Sequence, residues 1–85
     1  MADVVIYSKP GCSYCATAKA LLDRKGAAYT EIVASGDPAK RAEMMEKSGG
    51  RATFPQILIG GKHIGGADEI HALDARGGLD PLLAA

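Results

Sequence analysis

The sequence predicts an α/β fold, a four-stranded mixed sheet flanked by helices in the order βαβαββα. The first half of the chain alternates a β-branched run, a helical pattern and a second β-branched run. A strand–helix–strand unit favours parallel pairing through a right-handed crossover. The second half holds two apolar runs joined by Gly60-Gly61, a link suited to an antiparallel hairpin. One mixed sheet satisfies both pairings.

Val4-Val5-Ile6-Tyr7 reads as a buried strand running into the loop Ser8-Lys9-Pro10-Gly11. From Ser13 to Lys25, the residues Cys15, Ala18, Leu21 and Leu22 fall at the spacings of one apolar helix face, and Gly26 is the stop. Tyr29 to Val33 alternates as a second strand. Asp37-Pro38 supplies an N-cap and a first-turn proline for a helix through about Glu46, ended by Ser48-Gly49-Gly50. Gln56 to Ile59 and Lys62 to Ile64 form the hairpin. After Gly65-Gly66, a last helix runs from near Asp68 to Arg76 with Ile70 and Leu73 on one face. Gly77-Gly78 ends it, and Leu79 to Leu83 is expected to pack as an apolar tail. No repeat or linker interrupts residues 1–85, which read as one domain.

The chain is 47% hydrophobic and 24% charged, a globular rather than a disordered balance. Ten basic residues cancel ten acidic ones without a basic run, so neither nucleic acid nor an anionic membrane is expected as partner. No apolar stretch approaches the ~20 residues of a spanning helix. The N-terminus lacks the basic region and cleavage site of a secretory signal, and a cytoplasmic address is the expectation.

The only cysteines are Cys12 and Cys15, separated by two residues. A disulfide closing so short a loop constrains little unfolded chain, which argues against a structural staple. A zinc site needs four ligands, and the only further candidates, His63 and His71, have seven residues between them. No metal is expected. His63 is placed on an exposed hairpin strand and His71 on the solvent side of the last helix. Met44 and Met45 read as core filler and surface.

Chemistry follows from position. Cys12 stands where the first helix begins, so unpaired backbone N–H groups and the positive end of the macrodipole meet its sulfur. Lys9, three residues earlier, either adds positive potential there or is a solvated loop charge. Thiolate, not thiol, is the nucleophile. Cys15, one turn further in on the apolar face, is shielded. Cys12 is therefore the attacking sulfur, and Cys15 resolves the mixed disulfide that results. A C-x-x-C pair beside a βαβ pattern is a thioredoxin-like redox cue, and the order of elements is that of a thioredoxin-like fold.

Three blocks then carry a family resemblance: Lys9-Pro10-Gly11-Cys12-Ser13-Tyr14-Cys15, Thr53-Phe54-Pro55, and Gly65-Gly66-Ala67-Asp68. Their order and distances resemble those of dithiol glutaredoxins along nearly the whole chain. The ending from Ala72 to Leu83 is similar to the bacterial glutaredoxin 3 group. Thioredoxin itself fits poorly, because its Trp-Cys-Gly-Pro-Cys centre is absent and the chain has no tryptophan.

The resemblance implies a glutathione-dependent oxidoreductase that reduces protein disulfides and protein–glutathione mixed disulfides. Glutathione is then a co-substrate rather than a tightly bound cofactor, ribonucleotide reductase is a family partner, and the chain acts as a monomer. By the family pattern Pro55 follows a cis peptide; read from the residues alone it is a trans-proline opening a strand. The cis form turns the Phe54 N–H and C=O outward to pair with the cysteinyl unit of glutathione. Gly66, Ala67 and Asp68 are assigned to the γ-glutamyl end, Asp68 also reading as a plain N-cap. Lys9 and Arg41 are assigned to the glycyl carboxylate, with Arg51 in competition for that role. Tyr14 packs against the peptide and Thr53 supports it. Ser13 replaces the family's usual proline and Phe54 its usual valine. Some glutaredoxins with a Cys-Ser-Tyr-Cys centre hold a [2Fe–2S] cluster between two chains, an arrangement requiring four thiolates.

Overall fold

The structure, a computed structural model, describes residues 2–85. Strand β1 (Val4–Ser8) leads into helix α1 (Ser13–Arg24), then β2 (Thr30–Val33) and α2 (Pro38–Lys47). The second half runs β3 (Gln56–Ile59), β4 (Lys62–Gly65), α3 (Ala67–Ala75) and α4 (Leu79–Ala84). The sheet has the order β2-β1-β3-β4, parallel between β1 and β2 and antiparallel elsewhere. This is the mixed sheet of a thioredoxin-like fold.

Alternation along β1 divides the core in two. Val4 and Ile6 join Ile57 and Ile59 beneath Ala18, Leu21 and Leu22 of α1 and Ile70 of α3. Tyr7 and Leu58 point the other way, against Met44 of α2. Because both faces of the sheet are covered, central β3 is buried at every position, which explains its unbroken apolar run after Gln56. The side chain of Met44 is fully buried and Met45 is exposed, as the sequence reading expects.

Local signals fix the element ends. Asp37 caps α2, accepting from the N–H groups of Ala39 and Lys40, both at 3.1 Å, with Pro38 in the first turn. Gly60 and Gly61 take φ of 59° and 80°, the pair of positive values that a tight two-residue hairpin requires.

Three expectations are corrected. Helix α3 begins at Ala67 with Gly66 at the N-cap position, so Asp68 is not the cap. The Glu69 carboxylate reaches back to the Gly66 N–H at 2.8 Å and fixes that start. The C-terminal segment, expected only as an apolar tail, does pack but as a helix. Leu79 and Leu83, four residues apart, bury one face of α4, and Pro81 sits in its first turn, where its missing N–H has no helical acceptor to lose. Both histidines are half-buried rather than exposed: the His63 ring bonds Gln56, and His71 Nδ1 lies 2.7 Å from the Ala67 carbonyl. Among the described residues no helix is long and apolar enough to cross a membrane.

Candidate active site

The turn before α1 aims one sulfur at the helix end. Gly11, at φ 71°, bends the chain, and Cys12 takes an extended conformation at the N-cap position. Its sulfur accepts the backbone N–H of Cys15 at 3.2 Å. A cysteine thus fills the place usually held by Ser, Thr, Asp or Asn. Cys12 is half-buried, whereas Cys15, on the inner face of α1, is 1% exposed. Burial pushes the Cys15 thiol up to about 11, and the neighbouring Cys12 thiol adds to the rise. The Lys9 backbone N–H and the Lys19 ammonium pull the other way. Both cysteines are free thiols of unequal access, the asymmetry that their positions in the sequence predict.

Two depressions meet this turn. One, of about 390 Å³, is lined by Cys12 and Cys15 with Lys9, Ser13, Lys19 and Glu31. The other, a groove of about 130 Å³, runs from Tyr14 past Thr53, Phe54 and Pro55 to Gly66, Ala67 and Asp68. The Lys9 ammonium lies over the Phe54 ring, 5.8 Å from its centroid, and spans the two.

The groove presents unpaired backbone groups on both of its walls. Its Phe54–Pro55 bond is cis. The N–H and C=O of Phe54 have no hydrogen-bond partner among the described residues, and neither do the N–H groups of Ala67 and Asp68. One wall therefore offers a strand-like donor and acceptor, and the other a helix N-terminus suited to a carboxylate. A Cβ at Gly66 would lie 3.2 Å from the Pro55 carbonyl oxygen, so the two walls meet closely there.

Gln56 and Glu69, which the sequence did not mark as site residues, hold these walls. Fully buried Gln56 donates from Nε2 to the Thr53 carbonyl at 2.9 Å and to the Thr53 hydroxyl at 3.0 Å. Its Oε1 accepts from His63 Nε2 at 2.7 Å. Arg51 Nη1 donates at 2.9 Å to Glu69 Oε1, the oxygen that also takes the Gly66 N–H. These donors hold the Glu69 carboxyl below its ordinary range. A polar residue opening an apolar strand was the visible signal for Gln56; nothing local marked Glu69.

Arg51 lines the groove, whereas Arg41 is exposed on α2 and does not. Among the described residues no three His, Cys, Asp or Glu side chains converge as a metal site. With Cys15 buried, one chain presents a single accessible sulfur, too few for an iron–sulfur cluster that takes four thiolates.

Two thiols of unequal exposure at a helix start, on this mixed sheet, define the class: a thiol–disulfide oxidoreductase of thioredoxin-like fold. Comparison with known proteins narrows it. The Glutaredoxin family model matches residues 4–64. The chain is 58% identical over 83 residues to glutaredoxin 3 of Escherichia coli K12, covering 98% of this chain and 99% of that one. The solution structure of a glutaredoxin from Brucella melitensis is 61% identical, with a TM-score of 0.84 over 98% of this chain and 89% of its own. A crystal structure of a buckwheat glutaredoxin–glutathione complex is 36% identical, with a TM-score of 0.86 over 98% and 77%. The chain belongs to the glutaredoxin family, and Cys12 with Cys15 fits its dithiol class.

Proposed function

We propose that this single-domain chain is a glutathione-dependent reductase of protein disulfides and of protein–glutathione mixed disulfides. The observation that carries the reading is the groove beside the Cys12 turn, with unpaired backbone groups at Phe54 on one wall and at Ala67 and Asp68 on the other. The buckwheat relative, similar in fold and solved with glutathione, supports it.

In this reading Cys12 attacks the disulfide sulfur that carries the glutathionyl group, and the substrate thiol leaves. A second glutathione then releases the enzyme, or Cys15 displaces the bound thiol and forms the internal disulfide. The Phe54 backbone pairs with the cysteinyl unit and Thr53 supports it, while Tyr14 packs against the peptide. The N-terminus of α3 at Gly66, Ala67 and Asp68 takes the γ-glutamyl carboxylate, and the Asp68 side chain its ammonium. Lys9 meets the glycyl carboxylate, together with Arg41 or Arg51; glutathione KM in Arg41→Ala and Arg51→Ala separates those two. Glutathione is co-substrate, the chain acts as a monomer in the cytoplasm, and ribonucleotide reductase is one partner by family resemblance.

The test is turnover of a glutathionylated peptide with glutathione against cysteinylglycine, which lacks the γ-glutamyl unit. Saturating kinetics with glutathione and a far weaker response to the dipeptide are expected. Equal efficiency with both thiols would contradict the role given to the α3 end.

A further inference from the structure

The resolving cysteine has a chemical difficulty that its surroundings address. Cys15 is 1% exposed, and burial disfavours its thiolate. Yet it must lose a proton before it can attack the Cys12 mixed disulfide. Lys19 lies four residues further along α1, one turn below Cys15 on the same side. Residues four apart on a helix are neighbours on its surface, which sets the Lys19 side chain on the side of α1 that carries that sulfur. Both residues line the cavity beside the Cys12 turn.

The ammonium is also anchored. Lys19 Nζ donates to Glu31 Oε2 of β2 at 2.9 Å, and the buried hydroxyl of Ser8, at the end of β1, donates to the same oxygen at 2.6 Å. Glu31 is thereby a fixed carboxylate, held below its ordinary range by Ser8 and Lys19. A carboxylate so stabilised is a poor acceptor for a thiol proton, which leaves the cation as the useful member of the pair.

We propose that Lys19, anchored by Glu31 and Ser8, is the positioning residue for the resolving step: its charge stabilises the Cys15 thiolate as that sulfur attacks Cys12. The assignment deepens the proposed function and concerns only its internal-disulfide branch. The step balances without an added oxidant. Cys15 gives its proton to water in the cavity, its thiolate forms the bond to Cys12 Sγ, and the bond from Cys12 to the departing thiol breaks. The departing thiolate takes up a proton, and the two electrons leave with it. The charged and titratable groups around Cys15 are Cys12, Lys9, Lys19 and Glu31. Of these, the Lys19 ammonium is the side-chain charge that favours the Cys15 thiolate, alongside the Lys9 backbone N–H.

The test uses 5,5′-dithiobis(2-nitrobenzoate), an aromatic disulfide with no γ-glutamyl group, so that failure here leaves the glutathione reading standing. Mixed rapidly with the reduced protein, it releases one coloured thiolate as Cys12 attacks, at a rate set by reagent concentration. A second is released as Cys15 resolves, at a rate independent of concentration. Cys15→Ser should lack the second phase. In Lys19→Gln that phase should slow about three- to five-fold at neutral pH, the effect of removing one part-exposed charge, and its pH profile should move to higher pH. Lys19→Arg should restore both, and the first phase should change less than about two-fold in either variant. A second phase unchanged in rate and pH profile, or an equal slowing of both phases, would overturn the proposal.

Discussion

The backbone N–H of Cys15 donates to the sulfur of Cys12 at 3.2 Å, so the sulfur proposed to attack is also the cap of α1. Chemical and structural roles therefore coincide in one side chain, and substitution separates them. Serine is a good N-cap, so Cys12→Ser should keep thermal stability within about 0.5 kcal/mol of the parent, whereas Cys12→Ala should cost about 1 kcal/mol. Urea unfolding of the reduced proteins checks this; equal losses in both variants would show that the sulfur does not cap the helix.

Gln56 joins the core to the groove. Gln56→Leu keeps an apolar interior but strands the Thr53 carbonyl and hydroxyl and the His63 ring. A loss of about 1–3 kcal/mol is expected from the unpaired groups, with a raised KM for glutathione and a smaller change in kcat. Unchanged KM in a folded variant would detach the network from the groove.

Gly65 has φ of 123°, and a Cβ there would lie 2.6 Å from Glu69 Oε1. Since Glu69 also holds Gly66 and Arg51, Gly65→Ala should destabilise by about 1–3 kcal/mol and weaken glutathione binding together. Calorimetric unfolding and glutathione titration of the same sample would reveal either effect without the other.

The buried Cys15 thiol gives a sign to stability in alkali. Its folded-state value is raised from about 9 to about 11, so the folded chain holds that proton more tightly. The resulting stability is fully present below about pH 9 and is lost as pH rises through about 11. Across that window the urea midpoint of the reduced parent should fall more steeply than that of Cys15→Ser. Parallel slopes would mean that the thiol titrates alike folded and unfolded.

Much of this was legible in the sequence because the signals are local. The Gly60-Gly61 link, the Asp37-Pro38 start of α2 and the helical spacing from Cys15 to Leu22 each act over a few residues. The Cys12 turn was legible for the same reason, and the wall at Thr53, Phe54 and Pro55 through its likeness to a family. Helix α4 was missed because paired glycines and Pro81 obscure a six-residue helix that packing of Leu79 and Leu83 stabilises. The supports Gln56–His63, Glu69–Arg51 and Glu31–Lys19 link residues 7 to 18 positions apart. Such pairs exist only once the sheet and helices have closed.

The division of labour between the two sulfurs is tested most directly by glutathione-dependent turnover of a glutathionylated peptide in Cys12→Ser and Cys15→Ser. The first should be inactive and the second should retain turnover, because glutathione itself can release the Cys12 mixed disulfide. Activity retained in Cys12→Ser, or lost equally in both, would contradict Cys12 as the attacking sulfur.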